Sequence, residues 1–220
     1  MDENEQLKIP DFSEDDFEND KEVKKWRDAE KEYKKMIDES VGLVCSAFSA
    51  SRSSHKNLKG FDLHRLINLP FILETYTGTV GRKTILFSLV QYHTSMVAGR
   101  TRLSGTDEYF VGVITLERSY PHTIIQRETI ALKINNLFVP GDIDFTDAKR
   151  FSSKFHVISK DEERLRRSFD NADLDRLNEF SNAEIEIRDN ECYFRTGRKP
   201  VSQEEAEVFI ELAKTISGIF

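Results

Sequence analysis

Two cysteines, Cys45 and Cys192, are the entire thiol content of the 220 residues. They are too few and too far apart for a disulfide framework or a zinc ribbon. No apolar stretch approaches the roughly 18 to 20 residues that span a bilayer. No basic segment followed by an apolar one opens the chain, so nothing there reads as a secretory leader. These absences predict a soluble, cytoplasmic protein with no integral membrane segment. Hydrophobic residues are only 38%, yet sixteen Phe and six Tyr supply bulk for one core.

Basic excess is also missing. The net charge is −7, but nine of the 39 acids and one of the 32 bases fall within residues 1–20, leaving that segment at −8 and the rest at +1. A neutral body does not displace counterions from a nucleic acid, and an acidic tail is repelled by phosphate. No nucleic-acid partner is expected. Residues 1–19 read as an acidic disordered tail, since so few apolar groups cannot offset ordering entropy.

From Asp20, a plausible cap, the pattern changes. Val23, Trp26, Tyr33, Ile37, Val41, Val44 and Phe48 recur at three- and four-residue steps among Lys, Arg, Glu and Asp. That spacing predicts an amphipathic helix over 20–52 that runs into the connector Ser49–Ser54. Residues 60–220 read as a single domain. "PFILETYTGTV", "KTILFSLVQYHT", "EYFVGVITLERS" and "HTIIQRE" read as about four strands, with a loop over Met96–Thr106. "FHVIS" adds a short strand, and "AEIEIRDNECYFRTG" a hairpin turning at Asp189-Asn190, with Ile185 and Ile187 on one face and Cys192 and Phe194 across the turn. Two short helices follow caps at Asp161 and Asn171. Pro200 and the capping box Ser202-x-x-Glu205 open a last helix whose stripe is Val208, Phe209, Leu212, Ile216 and Phe220. Together these predict an α+β fold. An antiparallel sheet of about six to seven strands carries helices on one face, plus the long N-terminal amphipathic helix.

The motifs that suggest chemistry dissolve on inspection. "YTGTVGRKTILF" has two glycines and a basic pair, but only two residues separate Gly78 from Gly81, and a strand follows where a phosphate loop needs a helix. It reads as a turn at Val80–Arg82. "DIDFTD" offers Asp142 and Asp144, but an EF-hand begun at Asp142 meets Thr146, Asp147 and Ser153 at its key positions. Asp147 as a turn cap is the simpler reading. None of His55, His64, His93, His122 and His156 forms a metal-binding doublet. The arginines Arg164, Arg166, Arg167, Arg195 and Arg198 with Lys199 could frame an anion site, although adjacent acids favour a solvated face of i,i+4 pairs. No motif requires a cofactor.

The order of "YTGTVGRKTILF", "VGVITLERSYPHTIIQRE", "DIDFTDAKRFSSKFHVISKDEERLRRSF" and "IEIRDNECYF" resembles a family of bacterial and archaeal proteins that share a domain of unknown function. Its marks are a GTYRGR-like hairpin and an IDFED-x-x-F-N-R-x-F-x-V-like segment. The likeness covers about Leu69–Phe220. Ser152 replaces the usual Asn, Asp189-Asn190 lacks the usual Gly, and the charged helix stands where some members have membrane helices. The resemblance implies no activity and no catalytic residue.

The resulting expectation is a non-catalytic protein-interaction or scaffolding module that binds a partner or itself through Trp26, Tyr33 and Ile37. One alternative is a metal-dependent hydrolase assembled from His93, His122, Asp142 and Asp144. Another is a carrier of a small apolar ligand.

Overall fold

A computed structural model describes residues 21–65, 70–98, 101–127, 143–197 and 199–220, with backbone alone at 21–22, 93–98 and 101–104. The tail 1–19, the Asp20 cap and Asp142 lie outside the described residues. Within the described residues, six strand elements form one antiparallel sheet. In chain order the elements are α1 (Lys21–Phe48), β1 (Ser51–Arg52), α2 (Asp62–Arg65), β2 (Phe71–Val80), β3 (Lys83–Ala98) and β4 (Thr101–Arg127). There follow α3 (Lys149–Ser152), β5 (Phe155–Ser159), α4 (Glu162–Arg166), α5 (Asn171–Leu177), β6 (Glu184–Arg195) and α6 (Gln203–Ile219). Among the described residues, no helix is long and apolar enough to cross a membrane.

The turn between β2 and β3 is Gly81-Arg82, closed by the Val80–Lys83 pair. Gly81 has φ +61°, the conformation that a two-residue hairpin asks of its first central residue. Gly78 has a different task. A Cβ there would come within 2.8 Å of Ala50 Cβ, so the glycine lets the end of α1 lie against β2. Beyond His93 the β3–β4 ladder continues through Met96–Leu103 and Ala98–Thr101, which replaces the expected loop over Met96–Thr106 with paired strand.

β6 is a single 12-residue element, yet Arg195 Nε donates to Glu184 Oε2 at 2.7 Å. Eleven extended residues would hold these positions about 36 Å apart. The element therefore doubles back on itself, near Asp189 with its φ of +56°. One arm pairs with β4 at 112–115 and the other at 120–125, so β4 bends round the tip between Thr115 and Tyr120. The strands expected separately over 108–119 and 122–127 are one element, β4, with a corner.

Side chains alternate across the sheet. Ile85, Phe87, Phe110, Ile114, Ile185, Ile187 and Phe194 face α1 and α6 and form the main core. There the Phe209 ring stacks on Phe194 at 5.1 Å. Tyr109, Val111, Val113 and Tyr193 face the opposite way and are covered by Leu58, Phe61 and Leu63. The run Tyr109–Ile114 is uninterruptedly apolar because both of its faces are buried.

Helix ends follow local chemistry. Ser202 accepts from Glu205 N, and Asp161 from Arg164 N, as the capping patterns predict. The cap of α5 is Asp170, which accepts from Asp173 N, rather than Asn171. Among the described residues, Asp147 caps no helix. Ala148 precedes α3 without a side-chain cap, and the loop is held instead by Phe145 N donating to Ser152 Oγ at 2.8 Å.

Candidate functional site

The second face of the sheet carries charge where a covered face ordinarily carries hydrocarbon. The segment following β1 crosses it and ends in α2, whose first residue is Asp62. Leu63 N donates to Glu186 Oε2 at 2.8 Å. The other oxygen, Oε1, lies 2.9 Å from His122 Nε2. Because a carboxylate can only accept, Nε2 is the protonated nitrogen in this contact. Asp62 Oδ2 sits 3.6 Å from the same Nε2. Arg188 Nη2 lies 3.3 Å from Asp62 Oδ2 and 3.5 Å from Glu186 Oε1, while Arg65 pairs with Asp62 Oδ1. Partial burial pushes the Asp62 carboxyl up, but the Arg65 hydrogen bond and the charges of Arg65, Arg188 and His122 outweigh it. They hold Asp62 below the usual carboxylate range. Glu186 has no exposed surface, whereas the side chains of His122 and Asp62 keep 18% and 29% of theirs.

A second polar group adjoins the first across the β6 fold. Arg195, buried, pairs with Glu184 and lies over the Tyr109 ring at 5.9 Å. Phe61 stacks on Tyr193 at 5.2 Å, and His64 meets the same ring edge-on at 6.0 Å. Burial first, and the Arg195 charge second, lower the His64 imidazole to about 4. Burial pushes the Tyr193 phenol far above its ordinary value. His64 Nδ1, Tyr193 Oη and Arg195 Nη1 are buried and find no hydrogen-bond partner among the described residues.

Among the described residues, the structure brings His122, of the expected metal candidates, into a cluster, and its neighbours are Asp62 and Glu186. Asp144 is exposed, and its carbonyl accepts from Arg166. His93 pairs with Thr106 on a stretch of ladder far from His122, whose part of β4 pairs with β5 and β6. The side chain of His93 lies outside the described residues, as does Asp142. Arginine pairs Arg166–Glu162 and Arg167–Glu163 form the solvated face expected of α4. Arg195 instead belongs to the buried cluster. Glu186 escaped notice because Ile-Glu-Ile reads as alternation with an outward, wet carboxylate. The segment that covers it lies more than 120 positions earlier.

The interaction candidates behave differently from one another. Trp26 is 77% exposed. Ile37 rests against the main core. The Tyr33 hydroxyl donates to Glu108, whose other oxygen accepts from Gln91 at 2.8 Å. Two surface depressions, of about 340 and 390 Å³, are rimmed by Arg166 and Asp170 and by Lys83 and Glu117. Phe145, Phe169 and Leu174 line the first beside those charges, and Val80 and Gly81 line the second, so each mixes apolar with charged groups. No family model, curated protein or solved structure matches this chain.

Proposed function

We propose that this protein is a non-catalytic interaction module that grips a protein partner, or a second copy of itself, with the first turns of α1. One observation carries the reading. The stripe that α1 buries through Val41, Val44 and Phe48 continues through Tyr33 and Val23 to a Trp26 that the body does not cover. A lone exposed indole on an uncovered helical face is an ordinary anchor for a groove, and aromatic side chains dominate binding energy at such surfaces. Lys21–Lys35 holds seven bases and four acids, so the complementary groove is apolar with an acidic rim.

Trp26 is the only tryptophan, which makes the test direct. Its fluorescence is expected to be that of a hydrated indole in dilute protein. It should move to shorter wavelength on raising concentration, if copies associate, or on adding a purified partner captured from the host. Trp26→Ser should abolish association while leaving the thermal melt within about 0.5 kcal/mol of the parent. Association undiminished in Trp26→Ser would end the reading.

A further inference from the structure

We propose that Asp62, His122 and Glu186 form a binding site for one zinc-class divalent cation, which enters in place of the proton between His122 Nε2 and Glu186. The site stands apart from the α1 surface and does not depend on it.

Spacing is the first argument. Zinc bonds of about 2.0 to 2.1 Å to imidazole nitrogen and carboxylate oxygen place tetrahedral ligands about 3.3 Å from one another. The distances from Nε2 to Glu186 Oε1 and Asp62 Oδ2, 2.9 and 3.6 Å, bracket that edge, and all three donor atoms lie within 4.8 Å of one another. The second argument is preorganisation. The donors come from α2, β4 and β6, and two are held by contacts that the metal leaves alone: Glu186 Oε2 by Leu63 N, and Asp62 Oδ1 by Arg65. Rotamers fixed beforehand reduce the entropy lost on binding.

Charge supplies the third argument. Glu186 is a carboxylate without exposed surface, and the nearest guanidinium nitrogen among the described residues, that of Arg188, is at 3.5 Å, beyond a good hydrogen bond. Leu63 N and His122 Nε2 hydrogen-bond to the carboxylate, which satisfies its oxygens without placing a permanent full positive charge directly on Oε1. A cation bound directly to Oε1 would neutralise it, and the part-exposed His122 and Asp62 leave a way in from solvent. One imidazole with two carboxylates suits zinc or manganese better than calcium, which prefers six or more oxygens. Three protein ligands leave a fourth position open. With Arg65 and Arg188 beside it, that position carries net positive charge and suits a water, hydroxide or other small anion.

Arg188 is the competitor, since it points at both carboxylates. Its side chain is 38% exposed, so water can solvate its charge once a cation displaces it. Its removal therefore has an effect opposite to that of removing a ligand, and this separates a cation site from a structural ion-pair network.

The experiment uses the full chain, stripped with a chelator and titrated with Zn²⁺ alone, read by calorimetry and native mass spectrometry, with circular dichroism to confirm folding. One equivalent should bind. His122→Ala and Asp62→Asn should each weaken it by at least about tenfold, and Arg188→Ala should tighten it. Asp62→Asn alters a part-exposed side chain and keeps the test valid if the buried Glu186→Gln variant fails to fold. Substituting Co²⁺ should give ligand-field bands without thiolate charge transfer. No stoichiometric uptake by the parent chain, uptake indifferent to His122→Ala and Asp62→Asn, or a thiolate band from Cys45 would each overturn the proposal.

Discussion

His64 is a buried residue of α2 that packs against the ring of Tyr193, with Arg195 nearby. A proton added there would sit without solvent and beside a guanidinium, which is why its folded pKa falls from 6.5 to about 4. The unfolded chain then binds more protons than the folded one between those two values. Stability contributed by neutral His64 is complete above about pH 6.5. It is lost as pH falls toward 4, by up to about 3 kcal/mol. Urea melts from pH 7 to 4 should show that slope, and His64→Leu should flatten it. A slope unchanged in His64→Leu would place the sensitivity elsewhere.

At the scale of the element, α1 is held at two places of different character. Val41, Val44 and Phe48 bury hydrocarbon, and Gly78 lets the helix end approach β2 closely. Farther out, the Tyr33 hydroxyl reaches the nearly buried Glu108. Tyr33→Phe should therefore cost about 1 to 2 kcal/mol, the worth of a hydrogen bond to a charged acceptor that water can partly replace. Amide exchange should quicken over 21–36 while α6 keeps its protection; equal protection throughout would contradict a tether at this point. These helices were legible in the sequence because their information is local. The stripe of α6 and the Ser202–Glu205 cap lie within a few positions of each other, as do Asp161 and Arg164. The corner in β4 and the long β3–β4 ladder were not legible. Whether 96–106 forms a loop or paired strand is decided by register with a distant partner, and propensity does not carry that.

The whole molecule is a sheet with two unlike faces. One packs aromatic rings against two long helices; the other seals charged groups beneath a strap that runs to α2. The candidate cation site is a product of this arrangement. Positions 62, 122 and 186 share no motif, and only closure of the strap over the folded β6 brings them together, so no spacing rule could have found them. The same logic predicts how the face opens. Phe61→Ala removes the ring stacked on Tyr193 and should cost about 3 kcal/mol or more. It should also make His64 and the Asp62 cluster accessible together, seen as loss of amide protection over 58–65 without a matching loss in α6. Independent opening of the two polar groups would mean that the strap is not one cooperative unit.

The hairpin of β6 lies between the two arms of β4, and each arm waits for a partner made about 60 to 80 residues later. During synthesis, then, β4 leaves the ribosome as a long apolar ribbon with one side unpaired until residues 184–195 have emerged. Until that moment the growing chain resembles an open zip more than a domain. A release at residue 183 should give a species that chaperones hold and proteases clear, and the growing chain should be most vulnerable just before residues 184–195 are made.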